Sequence, residues 1–190
     1  MASPENVTNQ IPQGLDREGM EYNLDDIAEV ETSQGSVYRY LPDGRTQRHK
    51  KIEDKDFEPQ SLMIYIPDFD FIRAKPEWVS LVERFKDDAV LYEQTLLKTT
   101  HGEGQIVIMD LGATPPKILQ TNKEIREGKR VSLVCTFKDG TPTLKIPISH
   151  KPLAGFMTYD ERTFTGDDGQ SLRENHIGNK VTRIGLKEKE

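Results

Sequence analysis

A β-rich α+β fold built on antiparallel sheets is the expectation for this 190-residue chain, and three observations carry it. Residues 27–51, IAEVETSQGSVYRYLPDGRTQRHKK, read as three short strands joined by two tight turns. Residues 130–148 place two further strand-like runs around Asp139-Gly140, a dipeptide suited to the positive φ angles of a short hairpin. The chain also lacks the regular alternation of strand and helix that a parallel sheet requires. The sheets are expected as a sandwich or a partly open barrel, with one main helix at about residues 76–86.

Residues 1–23 are acidic and hold Pro4 and Pro12, with neither helical nor strand periodicity. They are expected to form a flexible tail, because so few apolar groups cannot offset the entropy of ordering. Residues 24–186 then make a single domain, and residues 187–190 a charged tail. In the meander, Ala28, Val30 and Thr32 alternate with Glu29 and Glu31, the period of a strand with one dry face. Ser33-Gln34-Gly35 supplies the first turn. Pro42-Asp43-Gly44 supplies the second, since proline presets φ and glycine takes a positive φ freely. Between them, Tyr38 and Tyr40 point to one face and Val37, Arg39 and Leu41 to the other.

Residues 61–66, SLMIYI, form an apolar strand closed by Pro67. The helix at 76–86 follows from Pro76 in the first turn, Glu77 at the positive end of the dipole, and an apolar stripe of Trp78, Leu81, Val82 and Phe85. The stripe continues through Ala89, Tyr92 and Leu96, so one long helix to Lys98 is the alternative to a break at Asp87-Asp88. With the break, residues 89–99 become a strand that pairs in a hairpin with 105–111, QIVIMDL. Thr114 and Pro115 open a short helix or an irregular excursion that ends at Gly128. Residues 130–137 and 143–148 form the hairpin, and Pro142 and Pro147 put its second strand at a sheet edge, because proline cannot donate to a ladder. A strand over 153–159, a polar loop over 161–174 and a closing strand over 180–184 complete the chain.

Composition narrows the function classes. The apolar fraction is 34% and the charged fraction 31%, which together predict a modest core. Cys135 is the only cysteine, so no intrachain disulfide forms, and its apolar setting VSLVCTF predicts an inert buried thiol. A soluble cytoplasmic protein is expected: no secretory pattern opens the chain and no apolar run approaches the ~18 residues of a membrane helix. The net charge of −6 is unevenly spread: residues 1–35 carry −7 and residues 36–51 carry +4.

Two classes of function follow from the candidate residues. In the first, the chain is a non-enzymatic binding or adaptor protein. Tyr38, Arg39, Tyr40, Arg45, Arg48, Lys50 and Lys51 interleave aromatic rings with cations on a small β surface. Such a surface suits an acidic protein or single-stranded nucleic acid, whose bases stack on aromatics while cations track the backbone. The acidic overall balance weighs against strong phosphate-backbone binding. The tail acids Asp16, Glu18, Glu21, Asp25 and Asp26 are expected to rest on Arg45, Arg48, Lys50 and Lys51 and compete with the partner.

In the second class, the chain is a phosphodiesterase or nuclease. Asp68, Asp70 and Asp110 follow or end strands and are candidate ligands for a divalent metal, although turn roles after Pro67 are the plainer account of Asp68 and Asp70. His150, His176 and Lys180 are the metal-free alternative, with an imidazole as acid or base and an ammonium neutralising charge. A loop whose polar groups satisfy its own backbone is the plainer account of 173–180. No cofactor is expected: the chain has no nucleotide-binding glycine loop, no HExxH and no CxxC.

Overall fold

The computed structural model describes residues 22–188, without the side chains of 163–165, 172 and 173. The expectations for the tail therefore fall outside the described residues up to position 21. Within them, Tyr22 is already buried against the core.

The meander forms as the alternation requires. After a 3-10 turn at Leu24–Asp26 come β1 (Ile27–Thr32), β2 (Ser36–Tyr40) and β3 (Thr46–Lys50). Gly35 and Gly44 sit at φ of 81° and 88° in the two turns, where a side chain would be strained. Next are β4 (Lys55–Asp56) and the fully buried β5 (Met63–Ile66). The chain closes with a long hairpin of β10 (Met157–Thr165) and β11 (Ser171–Leu186). These seven strands make one antiparallel sheet in the order β4-β3-β2-β1-β11-β10-β5.

The sheet is rolled but not closed. Tyr40 on β2 reaches Tyr65 on β5 across its interior, with the two phenol oxygens 2.6 Å apart. At one end, Thr46 and Gln60 exchange both backbone hydrogen bonds, at 3.0 and 2.7 Å. The second sheet has four antiparallel strands: β6 (Gly104–Asp110), β7 (Lys117–Ile118), β8 (Val131–Phe137) and β9 (Leu144–Pro147), in the order β7-β6-β8-β9. β9 is an edge strand, as its flanking prolines require. Gly140 turns the hairpin at φ 84°. A bridge between Tyr65 and Ser149 ties the two sheets together.

Among the described residues four short helices cover the sheets: α1 (Phe69–Arg73), α2 (Val79–Arg84), α3 (Ala89–Thr100) and α4 (Asn122–Glu127). Helical structure does begin at Pro76, as a 3-10 turn leading into α2. It stops early because Lys86 and Asp87 take φ of 53° and 54°. The longest helix is α3, where a strand was expected. Asp88 caps it by accepting the Val90 and Leu91 amides at 3.0 and 3.2 Å. Its inner face is Tyr92, Thr95, Leu96 and Thr99, a helical spacing disguised by two threonines. Both return their hydroxyls to the helix backbone, Thr95 to Leu91 and Thr99 to Leu96.

The expected hairpin of 89–99 with 105–111 is accordingly replaced by pairing of β6 with β8, Ile106 opposite Cys135. The polar loop expected over 161–174 is instead strand on both sides of a turn at 166–170. Backbone pairing of Arg162 with Glu174 and of Glu161 with Asn175 makes strand of residues whose polar composition reads as loop. α4 starts at Asn122 rather than near Pro115, because residues 117–118 are taken by β7. Thr121 Oγ1 accepts the Glu124 amide and Glu124 returns a carboxylate to the Gln120 amide, a reciprocal cap.

The core is continuous between the two sheets. Val30, Ile64, Ile66, Ile72, Leu96, Leu133, Ile146 and Phe156 are wholly enclosed, each contributing about 1.5–3 kcal/mol by burial. Phe69, Phe85 and Tyr92 pack edge-on or tilted under α3, and Tyr92 donates to the Pro67 carbonyl at 2.8 Å. No helix among the described residues is long and apolar enough to cross a membrane.

Candidate functional site

The meander turns its tyrosines inward. Tyr38 is 2% exposed, and the Tyr40 hydroxyl is committed to Tyr65, with burial pushing both phenols of that pair upward in pKa. The Tyr38 ring is thus closed to a stacking base, whereas Tyr40 is half-buried. The meander cations are largely neutralised at home. Arg39 lies 3.6 Å from Asp56, Arg45 2.7 Å from Asp43, Lys50 3.0 Å from Glu53 and Lys51 2.7 Å from Glu31. Arg48 lays its guanidinium 3.7 Å over the Phe57 ring. Such exposed pairs stabilise the fold little, yet they cancel field that a partner would otherwise feel.

Two of the seven candidate residues, Tyr40 and Arg45, do meet in a concavity. It has a volume of about 520 Å³ and opens between the β2–β3 turn, the 3-10 turn at Leu24–Asp26 and α4. Asn122 fixes this geometry from a buried position. Its Oδ1 accepts the Met63 amide at 2.8 Å, its Nδ2 donates to the Gly44 carbonyl at 3.2 Å, and its own amide donates to Ser61 at 2.9 Å. One side chain thus locks α4 to β5 and to the turn.

Arg45, Lys123, Arg126 and Lys187 line this cleft, against the two carboxylates of Asp25 and Asp43. Asp43 is already held by the Arg45 backbone and guanidinium, which keep its pKa below the ordinary value. Lys123, Arg126 and Lys187 are exposed and form no side-chain ion pair with the described residues. The cleft is therefore cationic, with three ammonium or guanidinium groups uncommitted.

A second polar group lies inside the roll. Asp160 on β10 is wholly buried, and its Oδ2 accepts from Arg162 Nε at 3.1 Å. Arg162 also donates to the Tyr38 hydroxyl at 3.4 Å. His176 stands opposite Asp160 on β11, and Tyr38 stands opposite Arg48 on the β2–β3 pair. Burial, then the Arg162 charge, lowers the His176 pKa, while Asp160 pulls it the other way. Asp160 Oδ1, Thr158 Oγ1 and Arg48 Nε are buried with no hydrogen-bond partner among the described residues. Gly178 is fitted to this group, since a Cβ there would collide with Thr158 Oγ1.

The remaining candidates disperse. Asp68 caps α1 through the Phe71 amide at 3.0 Å, and Asp70 pairs with Arg73 at 2.7 Å. Asp110 accepts the Gly112, Lys129 and Arg130 amides, which lower its pKa against the cost of burial. No group of three metal-binding side chains forms among the described residues. His150 sits beside Lys151 and Arg126, whereas His176 sits beside Arg162, Asp160, Arg48 and Glu174. Lys180 is exposed near the bottom of β11, opposite Met157.

Sequence reasoning missed Lys123, Arg126 and Lys187 in the cleft and Thr158, Asp160 and Arg162 in the roll. Strict alternation of Thr158, Asp160 and Arg162 with Met157, Tyr159 and Glu161 was the available signal. No family model matches the chain, and no curated protein or solved structure matches it either.

Proposed function

We propose that the chain is a non-enzymatic binding protein that takes an acidic segment of a partner protein into the cleft beneath the β2–β3 turn. The observation that supports this most is the trio of exposed, uncommitted cations Lys123, Arg126 and Lys187 around one concavity. Elsewhere on the meander the cations other than Arg48 are paired, so the cleft is where a carboxylate-rich chain gains most. The buried ring of Tyr38 favours an acidic peptide over single-stranded nucleic acid, which draws much of its affinity from stacking. A phosphodiesterase using Asp68, Asp70 and Asp110, or His150, His176 and Lys180, draws no support from side chains that do not converge. A cytoplasmic setting accords with one buried cysteine, Cys135, whose thiol burial pushes up to about 12.

The test is a titration of a fluorescent Glu-rich peptide and of an oligothymidylate at low and physiological salt. The peptide binds, and the combined K123E/R126E/K187E variant loses about tenfold or more in affinity while keeping its fold. Tighter binding of the oligothymidylate than of the peptide, or an unchanged affinity in the variant, overturns the proposal.

A further inference from the structure

The cleft beneath the β2–β3 turn carries two kinds of surface, and they come from different elements. Its uncommitted cations are Lys123 and Arg126 on α4 and Lys187 after β11. The 3-10 turn and the β2–β3 turn contribute carbon instead: Leu24, Tyr40 and Leu41 are half-buried and Pro42 is exposed. Tyr40 has only its ring to offer, since its hydroxyl is tied to Tyr65 at 2.6 Å. The turn that carries Leu41 and Pro42 is fixed by its own backbone. The Leu41 amide donates to the Arg45 carbonyl at 2.9 Å, and the Gly44 amide to the Leu41 carbonyl at 3.0 Å. These same two turns also hold the carboxylates of the cleft, Asp25 and Asp43.

Building on the acidic-peptide reading of the cleft, we infer that the partner segment carries one large apolar residue, aromatic or leucine-like, between acidic neighbours. The apolar residue seats on Leu24, Tyr40, Leu41 and Pro42, while the acids reach Lys123, Arg126 and Lys187. An extended peptide turns successive side chains to opposite faces. A run of acids alone would therefore set every second carboxylate against bare carbon and beside Asp25 and Asp43, where like charge repels it. An apolar residue at that place meets carbon and leaves water. The space suffices: the cleft holds about 520 Å³, and concave sites of roughly 300–1,000 Å³ take ligands through apolar walls with a few placed polar groups. Anchors of this kind supply most of the affinity, and the charged neighbours set encounter and orientation.

Fluorescence anisotropy of the full chain with two Glu-rich peptides, identical but for a central Phe or Ala, tests this. At physiological salt the Phe peptide is expected to bind at least about tenfold more tightly than the Ala peptide. Added sodium chloride weakens both, because exposed charge pairs are screened, but leaves their ratio, because burial of carbon is not. Leu41→Gln narrows the gap between the peptides, and the wild-type ratio decides the matter even if that variant does not fold. Equal affinities for the two peptides, or a ratio that vanishes at high salt, overturns the inference and leaves the acidic-peptide reading standing. Binding of neither peptide overturns both.

Discussion

Asp160 and His176 face each other across the antiparallel register of β10 and β11, with Arg162 bound to the Asp160 carboxylate at 3.1 Å. This is the point where the rolled sheet places a buried carboxylate beside partly buried cations, and its consequences are measurable. Replacing Asp160 by Ala leaves Arg162 and Arg48 facing each other with no buried carboxylate. Part of the penalty is screened, since the Arg162 side chain is 21% exposed. A loss of about 2–4 kcal/mol in urea unfolding is expected. A loss below about 0.5 kcal/mol would show that the carboxylate is dispensable to the roll.

Gly178→Ala drives a methyl into Thr158 Oγ1 from the neighbouring strand. Overpacking of this kind costs about 1–3 kcal/mol. Thr158→Ser in the same background keeps the clashing hydroxyl and leaves the loss in place, whereas Thr158→Gly removes it and relieves the clash. Thermal unfolding of the single and double variants decides the point, and additive losses for the Gly178→Ala and Thr158→Gly pair would contradict the contact.

Acid lowers stability before the carboxylates titrate. Burial, with help from Lys151 and Arg126, pulls the His150 pKa down from 6.5 to about 4, and His176 moves in the same direction. The folded state thus prefers both imidazoles neutral. Their contribution is complete above pH 6.5, the unfolded value, and drains away as pH falls toward 4. With partial exposure discounted, His150 accounts for on the order of 1–2 kcal/mol. Urea unfolding at pH 7.5, 6 and 5 should show the decline, and His150→Asn should flatten it. Identical slopes for variant and parent would place the sensitivity elsewhere.

The phenol pair joining β2 to β5 is a single hydrogen bond with two owners. Tyr65→Phe strips the Tyr40 hydroxyl of its 2.6 Å partner, and Tyr40→Phe does the same to Tyr65. Each is expected to destabilise by about 1–2 kcal/mol, and the double variant by less than the sum. Full additivity in a double-mutant cycle would mean the two hydroxyls do not depend on each other.

Much of the fold is legible in the residues themselves. The meander is announced by alternation and by glycines in turns, and Gly35, Gly44 and Gly140 occupy the positive φ that such turns need. The edge position of β9 follows from Pro142 and Pro147. What stays hidden has a common cause, which is polar side chains buried inside the fold. Thr95 and Thr99 hide the inner face of α3, because a hydroxyl bonded to its own helix can be buried. Thr158, Asp160 and Arg162 hide a strand, because they are buried against one another and Tyr38. The cleft was half visible. Tyr40 and Arg45 stand in the meander, while Lys123, Arg126 and Lys187 arrive from distant segments that no local pattern connects.

β1 takes one neighbour from the adjacent hairpin and the other from the far end of the chain, where Ile27 lies opposite Leu186. On a ribosome, the meander can pair β1 with β2 as soon as both emerge, yet the other side of β1 stays open until β11 has been made. Pairings between such remote segments close long loops and slow the search for the native state. Meanwhile β1 offers unpaired amides and carbonyls, next to apolar Val30, to any strand nearby. A nascent chain is thus exposed to wrong pairing until β11 has emerged, and any chaperone that serves it has most to gain by shielding Ile27–Thr32.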